Sequence, residues 1–123
     1  MRKLRVAARC LPLSILLAFT AGGETRGARA DEGPRIIPVV ARRFEFTPAR
    51  VSIARGETVT LRVTSEDVTH GFFQRDLGID ADLAPGQPTD VTVTPRTAGT
   101  FTLICDHFCG AQHGGMKMTI VVE

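Results

Sequence analysis

From Ile36 onward the apolar residues come in short runs that alternate with polar ones and stop at turn-forming residues. The clearest case is Val59, Leu61 and Val63 alternating with Thr60 and Arg62, the period of a half-buried strand. Val91 and Val93 share one face of Thr89–Thr94, and Phe101, Leu103 and Cys105 lie on one side of a later stretch. Shorter pieces are expected at Ile37–Ala41, Phe44–Phe46, Val51–Ile53, Gly71–Phe73 just after His70, and around Leu77 and Ile79. Lys117–Val122 closes the chain as a final strand. Thr47-Pro48, Arg55-Gly56-Glu57, Ala84–Pro88 and Ala98-Gly99 read as the turns between them. The pattern predicts seven or eight short strands, no long helix and no internal repeat. It therefore predicts an all-β domain, an antiparallel sandwich or barrel.

The first thirty residues follow a different pattern. Arg2, Lys3, Arg5 and Arg9 precede an apolar run from Leu11 to Phe19, and Ala28-Arg29-Ala30 offers a small-x-small cleavage site. This is the layout of a secretory signal peptide, and the run is about half the ~20 residues a spanning helix needs. The expected organisation is a leader at 1–30 and one domain at 31–123, exported or periplasmic, with no membrane span in the mature chain. Cys10 precedes the apolar run, the wrong place for a lipid-modified cysteine.

Removing the leader reverses the charge balance. Six of the fifteen Lys and Arg residues and one of the thirteen acids lie in residues 1–30, which leaves nine against twelve, a net −3. No basic surface for nucleic acid is expected of such a domain. Asp76, Asp80 and Asp82 form a modest acidic group that reads first as a solvated loop and second as a dock for a basic cytochrome. With Cys10 gone, Cys105 and Cys109 are the cysteines that remain. In an exported protein they are candidates for a disulfide or for metal binding.

The candidate chemistry gathers in one loop. Cys105, Cys109 and His113 are spaced by four, and Met116 follows three later, which brings the side chains to one side of a curled segment. Two thiols, an imidazole and a thioether make a soft donor set that suits copper, and zinc to a lesser degree. Gly110, Gly114 and Gly115 are expected to let the backbone bend around an ion. The competing readings are structural zinc, a disulfide that leaves His113 and Met116 unexplained, and a Cys–His nucleophile with nothing to orient the imidazole. Phe72, Phe73 and Phe108 are expected to pack around the site and exclude water, and Met118 to be core. Paired carboxylates, a Gly-rich phosphate loop and a Ser/His/Asp set are all missing, so no catalytic residue is expected.

The run from Cys105 to Met116 resembles the copper-A loop of cytochrome c oxidase subunit II, Cys-x-x-x-Cys-Gly-x-x-His-x-x-Met. Asp67–Phe73 resembles the other metal-binding segment of that family, and Pro85-Gly86 its usual turn. The resemblance extends from about Phe44 to the C-terminus. It implies a cupredoxin-like Greek-key β-sandwich holding two copper ions of the copper-A type. Cys105 and Cys109 would bridge both ions, His70 and His113 would each complete one, Met116 would be a weak axial ligand, and His107 would contribute its backbone carbonyl. The implied activity is electron transfer with a c-type cytochrome or another redox protein. An oxidase or reductase subunit that receives electrons, as in nitrous oxide reductase, is a further form of the same role. A copper-handling protein for oxidase assembly and a mononuclear cupredoxin are the alternatives. His107 stands where many oxidase subunits have Glu. The Trp-containing region and the membrane helices of those subunits have no counterpart in this sequence, so a soluble relative of the copper domain is expected.

Overall fold

Alternation becomes ladder at each place where it is clearest. The computed structural model describes residues 33–123; the leader read at 1–30, Cys10 and the first two residues of the expected domain lie outside them. Nine strands follow: β1 (Arg35–Arg42), β2 (Glu45–Thr47), β3 (Arg50–Ile53), β4 (Val59–Ser65), β5 (His70–Gln74), β6 (Ile79–Leu83), β7 (Thr89–Val93), β8 (Gly99–Ile104) and β9 (Lys117–Val122). They form a four-stranded sheet in the order β2-β1-β4-β7 and a five-stranded sheet in the order β3-β9-β8-β5-β6.

The strand count is nine where the sequence pattern predicts seven or eight, and the turn read at Thr47-Pro48 falls between β2 and β3. Proline has no N–H to give to a ladder. The chain leaves β2 through Thr47-Pro48-Ala49 and enters β3 in the other sheet. The expected piece around Leu77 and Ile79 also divides. Arg75–Leu77 is a 3-10 turn, with the Gln74 side-chain oxygen accepting from the Asp76 and Leu77 N–H groups, and Gly78 has φ 65°. The sheets are mixed rather than antiparallel throughout, since β1 pairs parallel to β4 and β3 parallel to β9. Alternation decides which face is buried, and it reads alike for both strand directions.

The inner faces of both sheets supply one core that includes Val39, Phe46, Leu61, Phe72, Leu103 and Ile120. Phe46 from β2 meets Phe72 from β5 edge-on across the sheets, with ring centroids 5.5 Å apart. Thr60 is buried on β4 because its hydroxyl lies 3.0 Å from that of Thr92 on β7.

The topology matters most at one end of the larger sheet. There β9, β8 and β5 lie side by side, and both contacts are antiparallel. The start of β5, the end of β8 and the start of β9 therefore share one edge of the sandwich. His70 begins β5, Cys105 follows β8, and Met116 precedes β9.

Candidate metal centre

The loop between β8 and β9 leaves and returns through adjacent strands. Its neck is closed by a hydrogen bond from the Cys105 N–H to the Met116 carbonyl, 3.1 Å. Within it, His113–Gly115 form a single 3-10 turn. The other wall is the first part of β5, and the two fit closely. A side-chain carbon built on Gly71 would overlap the Asp106 carboxylate and lie 2.5 Å and 2.6 Å from the His107 and Asp106 backbone nitrogens. Gly71 also gives its N–H to Cys105 Sγ at 3.3 Å. Of the three loop glycines, Gly110 needs its freedom: its φ is +144°, and a carbon built there would sit 2.8 Å from the Phe44 ring. Gly114 and Gly115 have ordinary φ and open space around them, so the expectation that all three bend the chain holds at Gly110 alone.

The two sulfurs lie 3.8 Å apart, nearly twice the length of an S–S bond, and both cysteines are free and buried. His70 Nδ1 is 3.9 Å from Cys105 Sγ, and the His107 carbonyl oxygen is 3.2 Å from the same sulfur. His113 Nδ1 is 3.8 Å and Met116 Sδ 3.9 Å from Cys109 Sγ. The donors thus divide into two groups, one around each thiol. Ligands on a tetrahedral ion with bonds of roughly 2.0–2.3 Å stand about 3.3–3.8 Å from one another, close to these separations. The candidate ligand atoms of His70, Cys105 and Cys109 lie within 4.8 Å of one another. Their chemistry fits a soft metal ion.

His70 is fully buried, and its far nitrogen is fixed. Nε2 lies 2.7 Å from Asp67 Oδ1. Burial pushes the Asp67 carboxyl up, but hydrogen bonds from the Arg43 N–H, from His70 and from the Val68 N–H outweigh it and hold it at about 2. An ionised acceptor on Nε2 makes that nitrogen the N–H donor and leaves the Nδ1 lone pair facing Cys105. Burial first, and then the neighbouring Cys105, push the Cys109 thiol up to about 11, with Arg43 acting in the opposite direction. A metal ion held there has to displace that proton.

Every ligand candidate named in the sequence reaches this edge, in different ways. His70, Cys105, Cys109, His113 and Met116 present side-chain donors, whereas His107 presents its carbonyl. Its imidazole is exposed and has Nδ1 3.2 Å from the Phe108 carbonyl oxygen. Met118 is core, as expected. The expected aromatic shield is incomplete: Phe72 is buried and Phe73 half-buried, but Phe108 is 75% exposed at the tip of the loop. The short loop turns that side chain outward while both cysteines turn inward. Sequence reasoning assigned no role to Asp67 or Arg43. Asp67 leaves one signal, its place three residues ahead of His70; Arg43 leaves none.

The sequence profile of the Cupredoxin-like domain family matches residues 12–122. Cytochrome c oxidase subunit 2 of Thermus thermophilus is 33% identical over 85 residues, 69% of this chain and 63% of that subunit. This chain therefore spans less than two thirds of that relative's length. A heme-copper terminal oxidase dimer solved by cryo-electron microscopy contains a chain that matches with a TM-score of 0.67 at 25% identity, over 76% of this chain and 68% of that one. The periplasmic domain of subunit II of the Bradyrhizobium japonicum cytochrome oxidase shares the fold, with a TM-score of 0.68 at 18% identity over 75% of this chain and 86% of that one. Among the described residues no helix is long and apolar enough to cross a membrane.

Proposed function

The chain belongs to the cupredoxin-like domain family, and on that premise we propose that it is an exported electron-transfer protein with a dinuclear copper centre of the copper-A type. One observation carries the reading: two imidazole Nδ1 atoms, a thioether and a backbone carbonyl gather around a thiol pair that is itself only 3.8 Å across. A single tetrahedral ion takes four ligands, whereas two ions bridged by two thiolates use all six donors. Cys105 and Cys109 would be the bridges. His70 and His113 would each complete one ion, with Met116 a weak ligand of one and the His107 carbonyl a ligand of the other.

Bound copper would supply a one-electron carrier whose charge is shared through the thiolate bridge. The protein's own part is to hold the donors still. Three adjacent strands anchor them, His70 is locked by Asp67, and burial of Cys105, Cys109 and Met116 keeps water from the sulfurs. Rigid donors rearrange little when the charge changes, which lowers the barrier to transfer. The partner in this reading is a c-type cytochrome or another redox protein, and the compartment is the periplasm, to which the leader read at 1–30 would send the chain.

Copper titration of the full chain tests the proposal. It predicts saturation at two ions and rapid electron exchange with a reduced cytochrome c. Rapid transfer of copper to a chelating acceptor without such exchange would instead identify a copper-handling protein. His107→Gln is expected to leave copper content and visible absorption unchanged, because the carbonyl faces the thiol and the ring faces solvent. Loss of copper in that variant, measured by metal analysis, would make the imidazole a ligand.

A further inference from the structure

We propose that Arg43 is a positioning residue for this centre, holding the Cys109 side of the ligand loop against the His70 segment. The inference rests on the metal-binding reading above. Arg43 lies in the turn between β1 and β2, outside both donor-bearing segments, and it touches each of them. Its side-chain Nε donates to the Cys109 carbonyl at 2.7 Å, and its backbone N–H donates to Asp67 Oδ2 at 2.7 Å. Asp67 uses its other oxygen for His70 Nε2. One residue is thus bonded directly to the Cys109 peptide and, through one carboxylate, to the imidazole on the opposite side of the site.

The rest of the turn reinforces the contact. The Phe44 ring covers Gly110, which leaves no room for a side chain there. The Ala41 carbonyl accepts the Glu66 N–H at 3.0 Å and ties the segment before His70 to the end of β1. Adjacent Arg42 behaves as a surface arginine, pairing with Glu45. Arg43 instead spends its Nε–H on a backbone carbonyl. Such a charge-assisted bond from a planar guanidinium is short and directional. Its positive charge beside the thiolate also favours the more electron-rich, reduced state of the metal.

The two roles of Arg43 separate experimentally, because a side-chain substitution leaves the backbone bond to Asp67 in place. The full chain and its Arg43→Gln and Arg43→Lys variants are loaded with copper, and affinity is measured by chelator competition and reduction potential by voltammetry. The expected result for Arg43→Gln is roughly ten- to hundred-fold weaker copper binding and a lower potential, with Arg43→Lys between it and the parent. Parent-like affinity and potential in Arg43→Gln would overturn the proposal. So would a lower melting temperature with both readouts unchanged, which would make Arg43 a brace of the fold. If Arg43→Gln does not fold, the same comparison is read on Arg43→Lys. One copper ion in the parent chain would contradict the dinuclear reading, while the Arg43 comparison would still be decided on that ion.

Discussion

Cys109→Ser is expected to reduce bound copper from two ions per chain to at most one and to abolish the purple absorption of a thiolate-bridged pair. Cys109 Sγ is the shared neighbour of Cys105 Sγ, His113 Nδ1 and Met116 Sδ, at 3.8, 3.8 and 3.9 Å. A hydroxyl is a hard, weakly acidic donor that copper does not deprotonate as it does a thiol. The substitution therefore removes one of the two bridges and leaves His113 and Met116 without the sulfur beside them. The fold should persist, since serine is close in size to cysteine, and burying one hydroxyl costs about 1–3 kcal/mol. Metal analysis and visible spectroscopy on the folded variant check this. Two retained copper ions would mean that Cys109 is not a bridge.

Gly71→Ala is expected to have a comparable effect by steric means. The added carbon would meet the Asp106 carboxylate and the backbone nitrogens of Asp106 and His107, and backbone cannot swing aside as the end of a long side chain can. Relief requires β5 and the ligand loop to separate. That would part His70 from Cys105 and break the Gly71 N–H to Cys105 Sγ contact. Overpacking of this kind costs about 1–3 kcal/mol, and occasionally more where no atom can yield. For a domain of this size the upper end lowers the melting temperature by ~10 °C or more. Copper binding should fall with it. Gly114→Ala is the control: nothing lies within 4 Å of a carbon built there, and melting temperature and copper content should stay unchanged. If Gly71→Ala keeps both, the close contact between the two segments is not required for the site.

The legibility of the sequence varied with the range of the signal. Val59, Leu61 and Val63 announced β4 because alternation is local and repeats. The parallel partners of β1 and β3 were not legible, since pairing direction leaves no trace in one strand's pattern. The Cys105–Met116 loop was readable because its donors are close in sequence and chemically unusual. His70 needed the family resemblance, being 35 residues from Cys105. Arg43 acts through hydrogen bonds across 24 and 66 residues, and such bonds impose no periodicity on the chain; Asp67 reaches His70 across three residues, a single short-range contact that sets no repeat. Phe108 was misread because an aromatic beside a cysteine motif resembles core, whereas a tight loop that turns two sulfurs inward turns the residue between them outward.

The most direct test of the central claim is the electron paramagnetic resonance spectrum of the copper-loaded full chain. The account predicts the hyperfine pattern of one unpaired electron shared equally by two copper nuclei. A spectrum whose electron is confined to a single copper nucleus would contradict it.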